Sequence, residues 1–318
     1  MYKIYNSNCY GLNDIADNSV DAIITDPPYG INLEDWDQLP DKKIWQDCFK
    51  KLKPGGFLLC FSSIKYQHIF TTDLLNSGFL FNDVLLWAYL NGRVPPIDTD
   101  KKIDSFLNLE REVIGTYNYS QGSPNSNKKD NYFSKSKKTK ATEQSKDWVG
   151  FGSGLKTAYE PIILVQKPLE NSLAENILKY GTGSLNIDNT RIPYETGEKK
   201  VGHNPHPKGR VMSNIIQTEQ FGDYNKYFNI SQEEQEHFYF YGKVRDGKKS
   251  GNFHPTKKPT ELMKQLIKLV SKENDIILDP FMGSGSTGVA AKELNRFFYG
   301  YEQIKEYFNI SEERLKKD

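Results

Sequence analysis

The sequence predicts an α/β fold with a largely parallel sheet, broken by a polar insert. Three observations lead there. The first ninety or so residues alternate strand and helix patterns, the same alternation returns in the last seventy, and between them residues 118–147 are nearly empty of aliphatic side chains. With 318 residues the chain has enough length for a large core, and length alone permits one large or two ordinary domains.

In order along the chain, "YKIYNSN" and "VDAIIT" have strand patterns. "PDKKIWQDCFKKL" places Ile44, Cys48, Phe49 and Leu52 at helical spacing, and "KPGG" stops that helix before the apolar strand "FLLCFSS". "YQHIFTTDLLNSG" predicts a second helix ended by Gly78, followed by the strand "LFNDVLLWAYL". Residues 118–147 are rich in Ser, Asn and Lys and predict a mobile loop. Seven lysines (128, 129, 135, 137, 138, 140 and 146) with Tyr132 and Phe133 beside them suit either a solvated linker or a phosphate-tracking segment. "PIILVQKP" predicts a further strand, and "SLAENILKYG" a helix with Ser172 as N-cap and Gly181 past its end. From Thr182 to about Asn229 the chain is polar and irregular. The late elements are the strand "HFYFYGKV", the helix "PTELMKQLIKLVS", the strand "DIILD", a Gly-rich turn, the helix "GVAAKEL" and the strand "RFFYGYE". No internal repeat appears.

Net charge is +1, from 42 basic and 41 acidic residues, so any nucleic-acid binding must come from local clustering. Cys9, Cys48 and Cys60 lack metal-ligand spacing and predict reduced thiols with no zinc. The N-terminal residues do not have the pattern of a signal peptide and no apolar run reaches membrane-span length, so a soluble, cytoplasmic protein is expected.

Two segments carry chemistry. In "VDAIITDPPYG" an apolar strand runs into two prolines; each fixes its own φ and biases the residue before it toward extended geometry, which holds the carbonyls of Asp26 and Pro27 in set directions. In "DIILDPFMGSGSTGVAAKEL" Gly283, Gly285 and Gly288 form GxGxxG between a strand and a helix, and Glu302 ends the following strand. That spacing is the dinucleotide fingerprint, yet Asp279 stands immediately before the glycines, where a carboxylate repels a pyrophosphate and favours a cationic ligand. No Lys follows the glycines, which excludes a P-loop. An adenosyl cofactor with a cationic tail, S-adenosylmethionine, fits these features.

"TDPPYG", followed far downstream by "HPTKKP", "DPFMGSGSTG" and "FFYGYE", resembles the beta group of amino-methylating DNA methyltransferases, in which the catalytic motif precedes the cofactor motif. "WVGFGSGLKTAYEPIILVQKP" and "YGTGSLNIDNTRI" look like the phage and prophage branch of that group. The resemblance implies a doubly wound, mostly parallel sheet of the Rossmann-like methyltransferase kind with permuted motif order, in which the two motifs follow neighbouring strands. Its halves would be a catalytic half at 1–117 and an S-adenosylmethionine-binding half at 251–318, separated by a Lys-rich loop and target-recognition insert at 118–250 that contains a core strand near 161–168. Carried over by position, Asp279, Phe281, Gly283 and Gly285 line the methionine part and Glu302 takes the ribose hydroxyls. Thr256 and Lys258 close the pocket, and Asn8 stands where family members often carry an acid against the adenine.

For catalysis the resemblance assigns Asp26, Pro27, Pro28 and Tyr29. An exocyclic amine is a poor nucleophile because its lone pair is delocalised; the Asp26 carboxylate and the Pro27 carbonyl accept its two hydrogens, the prolines hold the carbonyl, and Tyr29 offers a stacking face to a base flipped out of double-stranded DNA. Trp36 and Phe61 are further candidates for pocket walls. Asp before the prolines goes mostly with adenine N6 and Ser there with cytosine N4, so adenine is expected and N4-cytosine stays as the alternative. A nicotinamide-dependent oxidoreductase is the more distant one. Whether the protein pairs with a second copy is open.

Overall fold

The structure is a computed structural model, and it describes residues 1–31, 36–88, 95–120, 133–194, 205–217 and 258–317. The chain divides into two compact units, one formed by Met1–Asn91 with Ala158–Asp318 and the other by Gly92–Thr157.

In the larger unit eight strands form one sheet in the order β1-β10-β9-β2-β3-β7-β4-β8. They are β1 (Tyr2–Tyr5), β2 (Val20–Thr25), β3 (Leu52–Phe61), β4 (Leu80–Ala88), β7 (Tyr159–Gln166), β8 (Ile215–Gln217), β9 (Ile276–Asp279) and β10 (Phe297–Tyr301). The run from β1 to β3 is parallel throughout, and β7 alone is reversed, antiparallel to both β3 and β4. The helices of this unit are α1 (Lys43–Lys51), α2 (Gln67–Asn76), α4 (Leu173–Tyr180), α5 (Thr260–Val270), α6 (Ser286–Glu293) and α7 (Lys305–Lys316).

Both faces of the sheet are covered, as a doubly wound sheet requires. All six residues of β2 are buried, and successive side chains of a strand point to opposite faces. Ile24 and Leu59 accordingly pack with Leu262, Leu266 and Ala290 from α5 and α6, whereas Ile23 and Leu58 pack with Ile44, Trp45, Phe70 and Leu74 from α1 and α2. The strand runs therefore read as continuous apolar segments without alternation.

Several boundaries differ from expectation. β3 starts at Leu52, so "KPGG" lies inside the strand as an irregularity: Val20 pairs with Leu52 but Ala22 with Phe57. The polar stretch after Thr182 supplies β8, an edge strand parallel to β4, which backbone pairing secures where composition gave no signal. The helix at 173–180 is capped as expected. Ser172 Oγ accepts the Glu175 N–H at 3.3 Å, the Glu175 carboxylate accepts the Ser172 N–H at 3.1 Å, and Gly181 takes φ 76°. The strand expected at "HFYFYGKV" lies outside the described residues.

The smaller unit contains α3 (Thr99–Phe106), an antiparallel ribbon of β5 (Val113–Ser120) and β6 (Phe133–Thr139), and a 3-10 turn at Lys146–Trp148. The ribbon corrects the expectation of loop at 118–120 and 133–139, residues 121–132 lie outside the described residues, and the boundary drawn at 117/118 falls inside β5. Ladder pairing such as Thr116 with Lys137 overrides the weak strand propensity of Ser and Lys. A buried ion cluster ties the ribbon to α3: Arg111 donates to Asp100 at 2.7 Å and Asp104 at 2.6 Å, while Asp104 also accepts from the hydroxyls of Thr142 and Ser145.

Candidate active site

β2 and β9 are neighbours in the sheet, with Ala22 and Ile23 registered on Ile277 and Leu278. Both strands end at the same edge, so the Asp26 corner and the glycine turn open side by side, as the two motifs led us to expect. One hydrogen bond joins them directly: Thr25 Oγ1 donates to Asp279 Oδ1 at 2.8 Å.

A cavity of about 390 Å³ lies over this edge. Its walls include Asn8, Asp26, Pro27, Pro28, Tyr29, Trp36, Lys258, Asp279, Phe281, Gly283 and Glu302. Phe61 is fully buried in the core behind it, and Thr256 lies outside the described residues. Gly285 is not a wall of the cavity. It takes φ 80°, and a Cβ there would stand 2.9 Å from Ser311 Cβ on α7, so this glycine serves the turn and the packing of the C-terminal helix. At Gly288 a Cβ would meet the Phe298 ring at 2.7 Å, which is the close helix-to-strand approach the fingerprint's third glycine allows.

The cofactor end is acidic. Asp279 is buried, and Thr25 Oγ1, Thr287 Oγ1 (2.6 Å) and the Phe281 N–H (3.1 Å) all donate to its carboxylate. Burial nevertheless dominates these bonds and raises its pKa to about 7. Glu302 directly follows β10, accepts the Ile304 N–H at 2.7 Å, and is likewise raised by burial. Asn8 Oδ1 accepts the Tyr10 N–H at 3.2 Å at the cavity rim. A cavity with two buried acids suits a ligand that brings positive charge and hydroxyl donors, and it does not suit a pyrophosphate.

Beside it stands a largely buried quartet that sequence spacing did not reveal. The Tyr29 hydroxyl donates to Asp26 Oδ1 at 2.6 Å, and Lys258 Nζ donates to Asp26 Oδ2. Lys258 Nζ is also 3.5 Å from Glu160 Oε2, on the reversed strand β7, and the Tyr29 hydroxyl is 3.5 Å from the same oxygen. Lys258, read as part of the cofactor lid, therefore sits on the acid of the Pro-Pro corner. Burial raises the pKa of Asp26 against the opposing pull of Lys258, and the phenol of Tyr29 is pushed well up by burial and the two carboxylates. Glu160 left no legible signal, because an acid at the head of an apolar strand reads as a surface end.

Asp37 is the second residue that spacing missed. Its Oδ1 accepts the N–H of Tyr29 at 2.8 Å and of Gly30 at 3.0 Å, and its Oδ2 accepts that of Ile31 at 3.1 Å. Three consecutive amides are thereby tied to one buried carboxylate, which fixes the chain immediately after the prolines.

A rigid proline corner that aims a carboxylate into a cavity, beside a glycine turn with a buried acid, matches the motif pair of one family. The family described as DNA methylase, of N6 and N4 methyltransferases, matches residues 20–313. The chain belongs to that family. It is a DNA amino-methyltransferase. Over 98% of its length it is similar to the Type II methyltransferase M.HindIII of Haemophilus influenzae, at 28% identity and covering 94% of that protein. It is also similar to the Type II methyltransferase M1.MboII of Moraxella bovis, at 25% identity over 96% of this chain and 94% of that one. Among solved structures, the PvuII DNA methyltransferase (cytosine-N4-specific) aligns with a TM-score of 0.55 at 16% identity, covering 100% of this chain and 87% of that chain. That likeness reports a shared fold.

Proposed function

We propose that the protein transfers a methyl group from S-adenosylmethionine to the N6 amine of adenine in double-stranded DNA. The observation that carries the choice of base is the Asp at position 26, ahead of the two prolines and aimed into the cavity. An adenosyl ligand with an ammonium and a sulfonium suits the acidic cofactor end: Asp279, Phe281 and Gly283 would face its methionine part, and Glu302 its ribose hydroxyls. When bound, that group supplies a methyl on an activated sulfonium.

The chain's own residues supply position and charge. Asp26 accepts one amine hydrogen and the Pro27 carbonyl the other, which favours a pyramidal nitrogen with a localised lone pair. Both Asp26 oxygens already hold a donor, Tyr29 or Lys258, and each keeps a second lone pair for the substrate. Lys258 and the Tyr29 hydroxyl thus clamp the carboxylate in one orientation without saturating it. Glu160 offsets the charge of Lys258, so the quartet carries a net negative charge while the amine becomes cationic at transfer. Asp26, raised by burial, then takes the proton the methylated nitrogen releases. In-line displacement needs orientation more than a strong base, and the proline corner held by Asp37 provides it. Tyr29 lines the cavity, and its ring gives the extruded base a face.

Nucleoside mass spectrometry of DNA from an expressing host that lacks other methyltransferases tests the reading. N6-methyladenine is the expected product. N4-methylcytosine alone would overturn the choice of base and leave the amine chemistry standing.

A further inference from the structure

The turn between β9 and α6 has glycines at two positive φ angles, Gly283 at 52° and Gly285 at 80°, and little of its own to keep it in one shape. Two backbone bonds hold one side of it: the Gly285 N–H donates to the Met282 carbonyl at 2.8 Å, and the Met282 N–H to the Tyr301 carbonyl at 3.0 Å. The Ser284 carbonyl stands one residue outside the α6 ladder, whose first acceptor is the Gly285 carbonyl, bonded to the Val289 N–H at 3.0 Å. Ser284 is buried, so its carbonyl needs a donor from elsewhere.

That donor is Arg314, in the last turn of α7. Its Nη1 donates to the Ser284 carbonyl and, more weakly, to Ser284 Oγ at 3.3 Å and Ser286 Oγ at 3.4 Å. Among the described residues no carboxylate pairs with it: Glu293, the acid that acts on it at longer range, is held by Lys264 at 2.5 Å. Burial pulls the guanidinium below its usual pKa. A half-buried cation without a carboxylate is costly, and here every oxygen that offsets the cost belongs to the glycine turn. A guanidinium only donates, so both serine oxygens accept, and both hydroxyl hydrogens are left for the cavity that Ser284 and Ser286 line.

We propose that Arg314 is a positioning residue for cofactor binding: from α7 its guanidinium fixes the Ser284–Gly285 peptide and the Ser284 and Ser286 hydroxyls, and so holds the glycine turn in the shape that receives S-adenosylmethionine. Without it the Ser284 carbonyl is buried with no donor, and the peptide must turn to regain one. The Gly285 N–H lies on that same peptide, so its bond to Met282 breaks in the same movement. The neighbouring Gly283 amide, which hydrogen-bonds the Glu302 carboxylate, moves with the turn. The helix also meets the turn at Ser311 beside Gly285, but that contact sets where the helix lies; the long Arg314 side chain can follow a small shift of the helix and keep its bonds. The inference rests on the cofactor end assigned above to Asp279, Gly283 and Glu302, and is independent of which base is methylated.

The test is calorimetric titration of the full chain with S-adenosylmethionine and with S-adenosylhomocysteine, beside steady-state methyl transfer to DNA at saturating cofactor. Arg314→Met should weaken both ligands by about 10-fold to 50-fold, since the two share the parts that the turn receives, and should leave kcat within about twofold of wild type. Arg314→Lys keeps the charge and a donor for the carbonyl, and should recover part of the affinity. Lys292→Met removes the donor to the Leu315 and Lys317 carbonyls, at 3.1 Å and 2.8 Å, and so loosens the end of α7 without touching the turn; its cofactor affinity should equal wild type. Folding of each variant is checked by circular dichroism, and if Arg314→Met does not fold, Arg314→Gln carries the test with an expected loss of about 3-fold to 10-fold. Asp279→Asn is titrated alongside: where it weakens binding and the Arg314 variant does not, this inference falls and the cofactor end stands. Wild-type affinity in the Arg314 variant, an equal loss in Lys292→Met, or a fall in kcat with affinity unchanged would overturn the proposal.

Discussion

Asp279 gives cofactor binding a pH dependence that can be worked out in advance. Its carboxyl is buried and its pKa is raised from 3.8 to about 7, with burial as the leading cause. That distance corresponds to roughly 4 kcal/mol against the ionised form in the cofactor-free protein. A carboxyl raised on folding adds stability that is fully present below its unfolded pKa and is lost as pH rises through about 7. A cationic ligand reverses the preference, because it pairs with the carboxylate and not with the acid. The ionised fraction in the free protein is about one half at pH 7, about one tenth at pH 6 and about one hundredth at pH 5, so affinity for S-adenosylmethionine should fall roughly fiftyfold from pH 7 to pH 5. Calorimetry at pH 7 in buffers of different ionisation enthalpy should find about half a proton released per cofactor bound. Asp279→Asn should bind more weakly at pH 7 and lose most of this slope, and without cofactor it should be more stable than wild type at pH 8. An affinity flat from pH 7 to pH 5, or an unchanged slope in Asp279→Asn, would refute the pairing of this carboxylate with the ligand's charge.

Two further substitutions probe the supports of the site. Asp37→Ala removes the acceptor of three amides and should lower kcat by about 10-fold to 100-fold with cofactor affinity retained, whereas Asp37→Asn, which keeps one carbonyl oxygen, should recover part of the rate; hydrogen exchange at residues 29–31 should quicken in step with the loss. Gly285→Val combines a β-branched residue at φ 80° with a Cβ 2.9 Å from Ser311 Cβ, and should cost about 2–4 kcal/mol of stability. Its thermal midpoint should drop by several degrees while the folded fraction still binds cofactor, and an unchanged midpoint with lost affinity would return Gly285 to the cavity wall.

The sheet was legible because β2, β3 and β7 are buried on both faces and read as unbroken apolar runs, and because the late strands and helices have clear periodicity. The glycine turn and the proline corner were legible as motifs, and their meeting follows from β2 pairing with β9. What sequence could not give was made by contacts between distant residues. Lys258 stands 232 positions from Asp26, and nothing in "HPTKKP" says that its ammonium rests on that carboxylate. Glu160 acquires its role only because β7 is reversed between β3 and β4 and brings its first turn of side chains to the same edge. The β5–β6 ribbon has a composition that suits loops and is held by Arg111 reaching back to α3, a tertiary term with no local signature. At Gly285 the fingerprint is present, and the space that the missing Cβ keeps open faces Ser311 on α7, which no local pattern announces.

The central claim is that the Asp26 carboxylate accepts the substrate amine and thereby makes it a nucleophile. The most direct measurement is the single-turnover rate of methyl transfer from tritiated S-adenosylmethionine to DNA by Asp26→Ala, with cofactor affinity measured by calorimetry on the same preparation. Removing a preorganised acceptor should slow transfer by about 100-fold to 1000-fold. Cofactor affinity should stay near wild type, since the groups proposed to hold the cofactor are Asp279, Phe281, Gly283 and Glu302, and these are intact in the variant. A near-wild-type transfer rate in that variant would contradict the account.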